Sequence, residues 1–317
     1  MINKNNLKKE FKILTTPKER DVFSAINIGN SKNKLGKDFE GKPLILFKIE
    51  GGLGGGIDMN LRNISVIYNQ ECTLKMGAKI ENGTFTIIRF KGIDKTLQET
   101  FLEINSFIFK KIKNKIFSSN EVKESIKKII DLFESLSQKG RKSIQGLWAE
   151  LLVILLGKDC KKMISAWHSN PTGRFDFSFD KKELEVKSTS TGKREHLFSM
   201  NQLERFNDLE ILFCSIFVEK MDKGKSAMDL TLEIVKKLKG DLDLIEKLYL
   251  MIYATMGESY EHLFNFKFNF NIAKSSLKIY DILDLPNLSK ENFPPELIDA
   301  TFKIKLDNIK DREFEFL

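Results

Sequence analysis

The chain has 317 residues, 41% hydrophobic and 30% charged, a balance that excludes a disordered chain and leaves room for a substantial core and more than one folded unit. No run approaches the roughly eighteen consecutive apolar residues of a membrane span. The formal net charge of +8 favours a polyanionic partner through phosphate contacts and counterion release. A composition rich in Lys, Ile, Asn and Phe also arises from genomic base content, so charge alone does not decide the partner.

The opening MINKNNLKKEFKIL is basic but lacks the continuous apolar stretch and small-residue cleavage site of a secretory signal, and a cytoplasmic protein is expected. Cys72, Cys160 and Cys214 are odd in number, far apart and without metal-ligand spacing, as expected of reduced cytosolic thiols. Between residues 43 and 91, the runs LILFKIE, ISVIYNQECTL and FTIIRF predict a small antiparallel sheet, with turns at the glycine run 51–56 and at Glu81-Asn82-Gly83. That glycine run has neither a Gly-Lys-Ser/Thr ending nor G-x-G-x-x-G spacing, and reads as a flexible loop.

Asp94 is placed to cap a helix whose inward stripe is Leu97, Phe101, Ile104, Ile108 and Ile112. A second helix starts near Ser119 or Asn120, turns Val122, Ile126, Ile129, Phe133 and Leu136 inward, and stops at Gly140. Ser143 caps a third, IQGLWAELLVILL, which ends at Gly157 and is apolar nearly all round, hence buried. The strand-like RFDFSFD and ELEVKST follow, separated by Lys181-Lys182, then a polar helix-like stretch and the strand LEILFCSIFVE, giving an α-β-β-α-β order. Beyond Met221 come helical residues 226–239 and 241–256, then the alternating segments FNFKFNFNI and ATFKIKL.

A two-residue turn at Lys181-Lys182 would set Ser178 opposite Glu185 and Asp176 opposite Lys187. Phe175, Phe177, Phe179, Leu184 and Val186 then share one face, and Asp176, Ser178, Glu185 and Lys187 the other. Neighbouring carboxylates raise each other's pKa unless a cation neutralises them, and all-oxygen ligation suits Mg²⁺ or Mn²⁺. Taken alone, the hairpin reads more readily as an amphipathic element with a solvated polar face, and Asp176 and Glu185 are expected to face solvent. Glu150 bears on the choice: no other ionisable side chain lies between Ser143 and Gly157, and a carboxylate on a buried helix needs a partner or a cation.

In order, GLWAELLVILL, AWHSNPTGRFDFSF, ELEVKSTS and REHLFSMNQLERF resemble the PD-(D/E)XK nuclease superfamily, most closely a bacterial branch encoded among restriction and phage-defence genes. The match of order and spacing runs from Gly146 to Leu203. It implies an α+β protein with a restriction-endonuclease-like core (mixed sheet, residues 119–220) between an N-terminal β-rich region with a helix (1–118) and a C-terminal α+β extension (221–317). It implies Asp176, Glu185 and Glu150 as metal ligands for Mg²⁺ (or Mn²⁺), and Lys187 as the motif lysine. Gln202 would aim an amide at the site from the following helix, and His196, Ser199 and Gln202 would contact nucleic acid. Phe175 stands where the motif name has proline, the nearest being Pro171. Trp167 reads as a packing residue, with base stacking as the alternative, and Asp180 and Glu183 as exposed charges.

The implied activity is hydrolysis of DNA phosphodiester bonds by metal-activated water, in restriction of foreign DNA, beside a methyltransferase and an ATPase or helicase. The alternatives are a non-cleaving DNA-binding or assembly subunit and an RNA or tRNA nuclease. Degenerate subunits usually lose one of the acids or the lysine, and all three are present here.

Overall fold

In the computed structural model, the described residues are 7–29, 31–48, 57–111, 119–168, 173–205, 208–286, 288, 293–294 and 296–317. The glycine run 51–56, Ile112, Pro171 and the side chain of Val122 lie outside them. The protein is mixed α+β, and among the described residues no helix is long and apolar enough to cross a membrane. Contacts divide the chain into two compact units, Met1–Lys139 with Tyr249–Glu258, and Gly140–Leu248 with Ser259–Leu317. These units cut the chain differently from the expected segments 1–118, 119–220 and 221–317.

In the first unit, α1 (Leu7–Ile13) precedes β1 (Val22–Asn27), β2 (Lys34–Lys37), β3 (Pro43–Phe47), β4 (Met59–Asn60), β5 (Ile64–Met76) and β6 (Lys79–Phe90). They form a six-stranded sheet in the order β1-β2-β3-β6-β5-β4, closed further by a parallel β1–β5 pairing. The turn expected at Glu81-Asn82-Gly83 is instead at Gly77-Ala78, and Asn82 and Gly83 pair within the strand with Thr73 and Cys72. Gly77 has φ +64°, the conformation a type II′ hairpin requires at its first central position. The helices α2 (Lys95–Lys111) and α3 (Ser119–Ser135) follow, with Asp94 Oδ1 accepting from Leu97 N at 2.7 Å as the expected cap. Their inward stripes are buried, and Phe90, Phe101 and Phe133 pack ring to ring beneath the sheet.

The second unit begins with α4 (Ile144–Leu156), α5 (Cys160–Ala166), β7 (Phe177–Ser178), β8 (Lys182–Thr189), β9 (Glu195–Ser199), β10 (Glu210–Phe217) and β11 (Lys220–Ser226). After these come α6 (Ala227–Lys237), α7 (Leu242–Met256, split between the units), α8 (His262–Asn265), β12 (Lys267–Phe268), α9 (Phe270–Ser276), β13 (Lys278–Asp281) and β14 (Thr301–Lys305). The main sheet runs β13-β10-β8-β7, with β8 and β10 parallel and both outer pairings antiparallel.

Two expectations fail in this unit. The helix expected between β8 and β10 is a strand, β9, followed by a single 3₁₀ turn, Met200–Leu203. His196 and Phe198 are buried while Leu197 is exposed, so a period of two prevails, with ATFKIKL supplying the partner strand β14 as its own alternation predicts. FNFKFNFNI is not a strand throughout. Only Lys267–Phe268 pairs, because the Asn269 side chain accepts from Ile272 N at 3.2 Å and starts α9.

Helix α4 positions the site. Ser143 Oγ accepts from Gly146 N at 3.1 Å, and the helix is buried from Leu147 through Leu155, packed on α6 and β8. Trp148 Nε1 donates to Lys225 O at 2.9 Å, so the one polar atom of that ring is satisfied in the interior. Replacing the cap by Ser143→Ala is expected to lower stability by about 1 kcal/mol, and Ser143→Asp to preserve it. Urea unfolding monitored by circular dichroism measures both, and equal losses in the two variants would contradict the capping role.

Candidate active site

The β7–β8 hairpin turns at Asp180-Lys181, since Phe179 N donates to Lys182 O at 2.8 Å and Ser178 pairs with Glu183. The register differs by two residues from that expected for a Lys181-Lys182 turn, so Asp176 lies opposite Glu185 instead of Lys187. A two-residue shift keeps every side chain on its face. Phe177, Leu184 and Val186 accordingly enter the apolar layer, while Asp176, Glu185 and Lys187 share the other side.

Asp176 and Glu185 do not face solvent as expected, being 3% and 7% exposed, while Glu150 is 1% exposed, as its buried helix predicts. Each is held by named partners. Glu150 Oε1 receives Lys142 Nζ at 2.5 Å, and its Oε2 receives Trp167 Nε1 at 2.7 Å with His168 Nε2 at 3.0 Å. Asp176 Oδ1 is bonded by the same Lys142 ammonium, and Oδ2 accepts from Val186 N at 2.8 Å. Glu185 Oε1 lies 2.7 Å from Gln202 Nε2 and 3.0 Å from Lys187 Nζ, which also donates to Gln202 Oε1 at 3.0 Å. Two groups result, a Glu150–Asp176 pair joined by one ammonium and a Glu185–Lys187–Gln202 triangle, and the hairpin places them side by side.

Burial, reinforced by the neighbouring Glu150 and Glu185 charges, pushes the Asp176 carboxyl well above its ordinary range against the pull of Lys142. Burial acts the same way on Glu150, but the Lys142 charge and the His168 hydrogen bond outweigh it and hold that carboxyl below its usual value. Lys142 loses hydration, yet the two carboxylates more than compensate and raise its pKa, so it is a fixed cation at neutral pH.

Gln202 reaches the site from the 3₁₀ turn that replaces the expected helix, and Ser199 caps that turn by accepting from Gln202 N at 3.3 Å. His196 is brought elsewhere. It is 4% exposed, with Nε2 2.7 Å from Ser215 Oγ, and Ser215 Oγ also receives Arg194 Nη1 at 3.0 Å. Trp167 is fully buried against Glu150, which leaves no face for stacking a base. Glu183 accepts from Ser178 Oγ at 2.6 Å beside the turn. The surface cleft lined by Lys162, Phe179, Lys181 and Lys182 sits at the turn end of this hairpin and includes none of the three acids.

Sequence reasoning missed Lys142 and His168. Lys142 stands in a Gly-Arg-Lys run that reads as solvated, eight residues before Glu150 and outside any helical spacing. The available signal was the buried Glu150 itself, which demands a cation, and the Trp167-His168 pair, whose ring N–H groups need acceptors when buried.

An acid on α4, one just before β7, one on β8 and a lysine on β8 are thus gathered beside a mixed sheet. The chain belongs to the family described as "Putative PD-(D/E)XK family member, (DUF4420)", whose model matches residues 8–307 and therefore spans both units. Membership of that superfamily suggests a nuclease-like function, and PD-(D/E)XK nucleases generally depend on divalent metal. No curated protein and no solved structure matches the chain.

The interior position of His196 carries a pH consequence. Burial, with the Lys187 and Arg194 charges adding to it, lowers its pKa from 6.5 to about 4. A depressed histidine contributes stability that is complete above pH 6.5 and lost as pH falls toward 4, because only the unfolded chain takes up the proton in that window. His196→Gln should flatten the fall in stability between these pH values, measured by denaturant unfolding in EDTA, and an unchanged slope would contradict a buried neutral imidazole.

Proposed function

We propose that the protein is a metal-dependent endonuclease that hydrolyses phosphodiester bonds in DNA, with Mg²⁺ or Mn²⁺ held by Asp176, Glu185 and Glu150. One observation carries this reading: buried carboxylates from α4 and from the approach to β7 converge on a single cation, the Lys142 ammonium. Carboxylates this deep and this close are tolerated only around positive charge, and their oxygens are donors that hard divalent ions take. A divalent ion bound there supplies a Lewis acid that polarises a phosphate and lowers the pKa of a bound water.

The surrounding residues divide the remaining work. Val186 N fixes Asp176 through Oδ2 and so points Oδ1 at the shared cation. Gln202 and Lys187 together hold Glu185 Oε1, which sets the orientation of that carboxylate before any substrate arrives. Lys187 keeps its ammonium beside the acids, placed to orient the attacking water and to offset charge as it builds on the phosphorus oxygens. Ser199 fixes the turn that carries Gln202.

The net charge of +8 supports a polyanionic substrate. The resemblance of residues 146–203 to nucleases of restriction and defence gene clusters supports a role in restriction of foreign DNA, beside a methyltransferase and an ATPase or helicase. The alternative of a non-cleaving assembly subunit is disfavoured by the joint presence of Asp176, Glu185, Lys187 and Gln202 in mutual contact or register.

Purified protein, supplemented with its partners if they are required, should cut plasmid DNA with Mg²⁺ or Mn²⁺ and stop in EDTA, and cleavage that persists in EDTA would contradict the mechanism. Asp176→Ala should abolish cleavage. Lys187→Met should lower kcat by about 10²–10³ while calorimetric Mn²⁺ affinity is retained, since the lysine acts on transition-state charge and not on the ion. Loss of Mn²⁺ affinity as large as in Glu185→Ala would instead make Lys187 a structural support of the hairpin.

A further inference from the structure

We propose that His168 is a further protein ligand of this cation site, making it a mixed nitrogen and oxygen centre that prefers Mn²⁺, and later ions of the same row, to Mg²⁺. The inference rests on the reading of Glu150 and Asp176 as cation-binding and adds the class of ion they take. Each of the three residues offers one ligand atom, and these atoms lie within 4.8 Å of one another. Such a set differs from the all-oxygen site expected from the sequence, and imidazole nitrogen favours Mn²⁺ and the ions after it, whereas Mg²⁺ is served by oxygen.

The backbone independently holds His168 in place. It is a non-glycine residue with φ +42°, in the left-handed region that side chains seldom occupy. The conformation accompanies an isolated antiparallel bridge between Trp167 and Phe177, in which His168 N donates to Asp176 O at 2.9 Å. A chain turned this way directs the imidazole at Glu150, where Nε2 sits 3.0 Å from Oε2. Strained backbone of this kind persists where the surrounding structure over-determines it, and it clusters at functional sites.

A ligand role requires the Nε2 lone pair, so the ring proton resides on Nδ1 in the ion-bound form. It also requires Lys142 to yield at least one carboxylate. The Lys142 side chain is 31% exposed, unlike the acids it joins, and its flexible stem can carry the ammonium toward solvent.

The test uses the full chain and MnCl₂. Pulsed electron paramagnetic resonance should detect a directly bound imidazole ¹⁴N on protein-bound Mn²⁺, and Mg²⁺ should displace that Mn²⁺ only at about tenfold excess or more. His168→Asn, chosen because asparagine tolerates left-handed φ, should lose the nitrogen coupling. It should weaken Mn²⁺ binding about tenfold or more while changing Mg²⁺ affinity less than about threefold. Bound Mn²⁺ that is lost in Asp176→Asn but shows no ¹⁴N coupling in the wild type would overturn the role of His168 and leave the proposed catalytic site standing. Absence of Mn²⁺ binding in the wild type, with Asp176→Asn indistinguishable from it, would overturn both. The wild-type spectrum decides the matter even if His168→Asn does not fold.

Discussion

Glu150 is carried into the interior by a helix that is apolar on every side, and a carboxylate in that position must be met by positive charge and hydrogen-bond donors or it would unfold the helix around it. Both oxygens are met. Lys142, from the segment leading into α4, takes one, and Trp167 and His168, from the end of α5, take the other. The same ammonium reaches Asp176, and the backbone of His168 is bonded to Asp176 O, so this single demand ties α4, α5 and the β7–β8 hairpin into one arrangement.

The arrangement concentrates buried negative charge at some expense to stability. Asp176, buried and flanked by the Glu150 and Glu185 charges, holds its proton more firmly than a free carboxyl would. An apolar or amide side chain at that position would relieve the repulsion, whereas concentrated negative charge is suited to gathering a cation. Lys142 neutralises part of that charge. Lys187 is bonded to Glu185 and Gln202 instead.

Much of this was legible in the sequence, and where it was not the reasons are physical. Helix α4, its Ser143 cap and the anomaly of Glu150 follow from periodicity and composition, as does the separation of hairpin faces that puts Asp176 with Glu185. The register is not legible because Asp180-Lys181 and Lys181-Lys182 are equally good two-residue turns by composition, and the observed pairing of Ser178 with Glu183 is that of the first. Gln202 was assigned to a helix because the polar stretch 190–205 carries no strong local signal, and its strand depends on β14, a hundred residues away. Asn82-Gly83 looks like a turn locally, yet a long β5–β6 ladder overrides it in favour of Gly77. Lys142 and His168 escaped because each meets Glu150 through the fold and not through spacing along one element.

The central claim, that two buried carboxylates gather a cation for which Lys142 stands in, is tested most directly by crystals soaked in MnCl₂ and measured at the manganese absorption edge. The account predicts an anomalous peak between Glu150 and Asp176, with Lys142 Nζ withdrawn from at least one of them. No peak there at saturating Mn²⁺, with Lys142 still bridging both carboxylates, would contradict it and return the cluster to a buried structural ion pair.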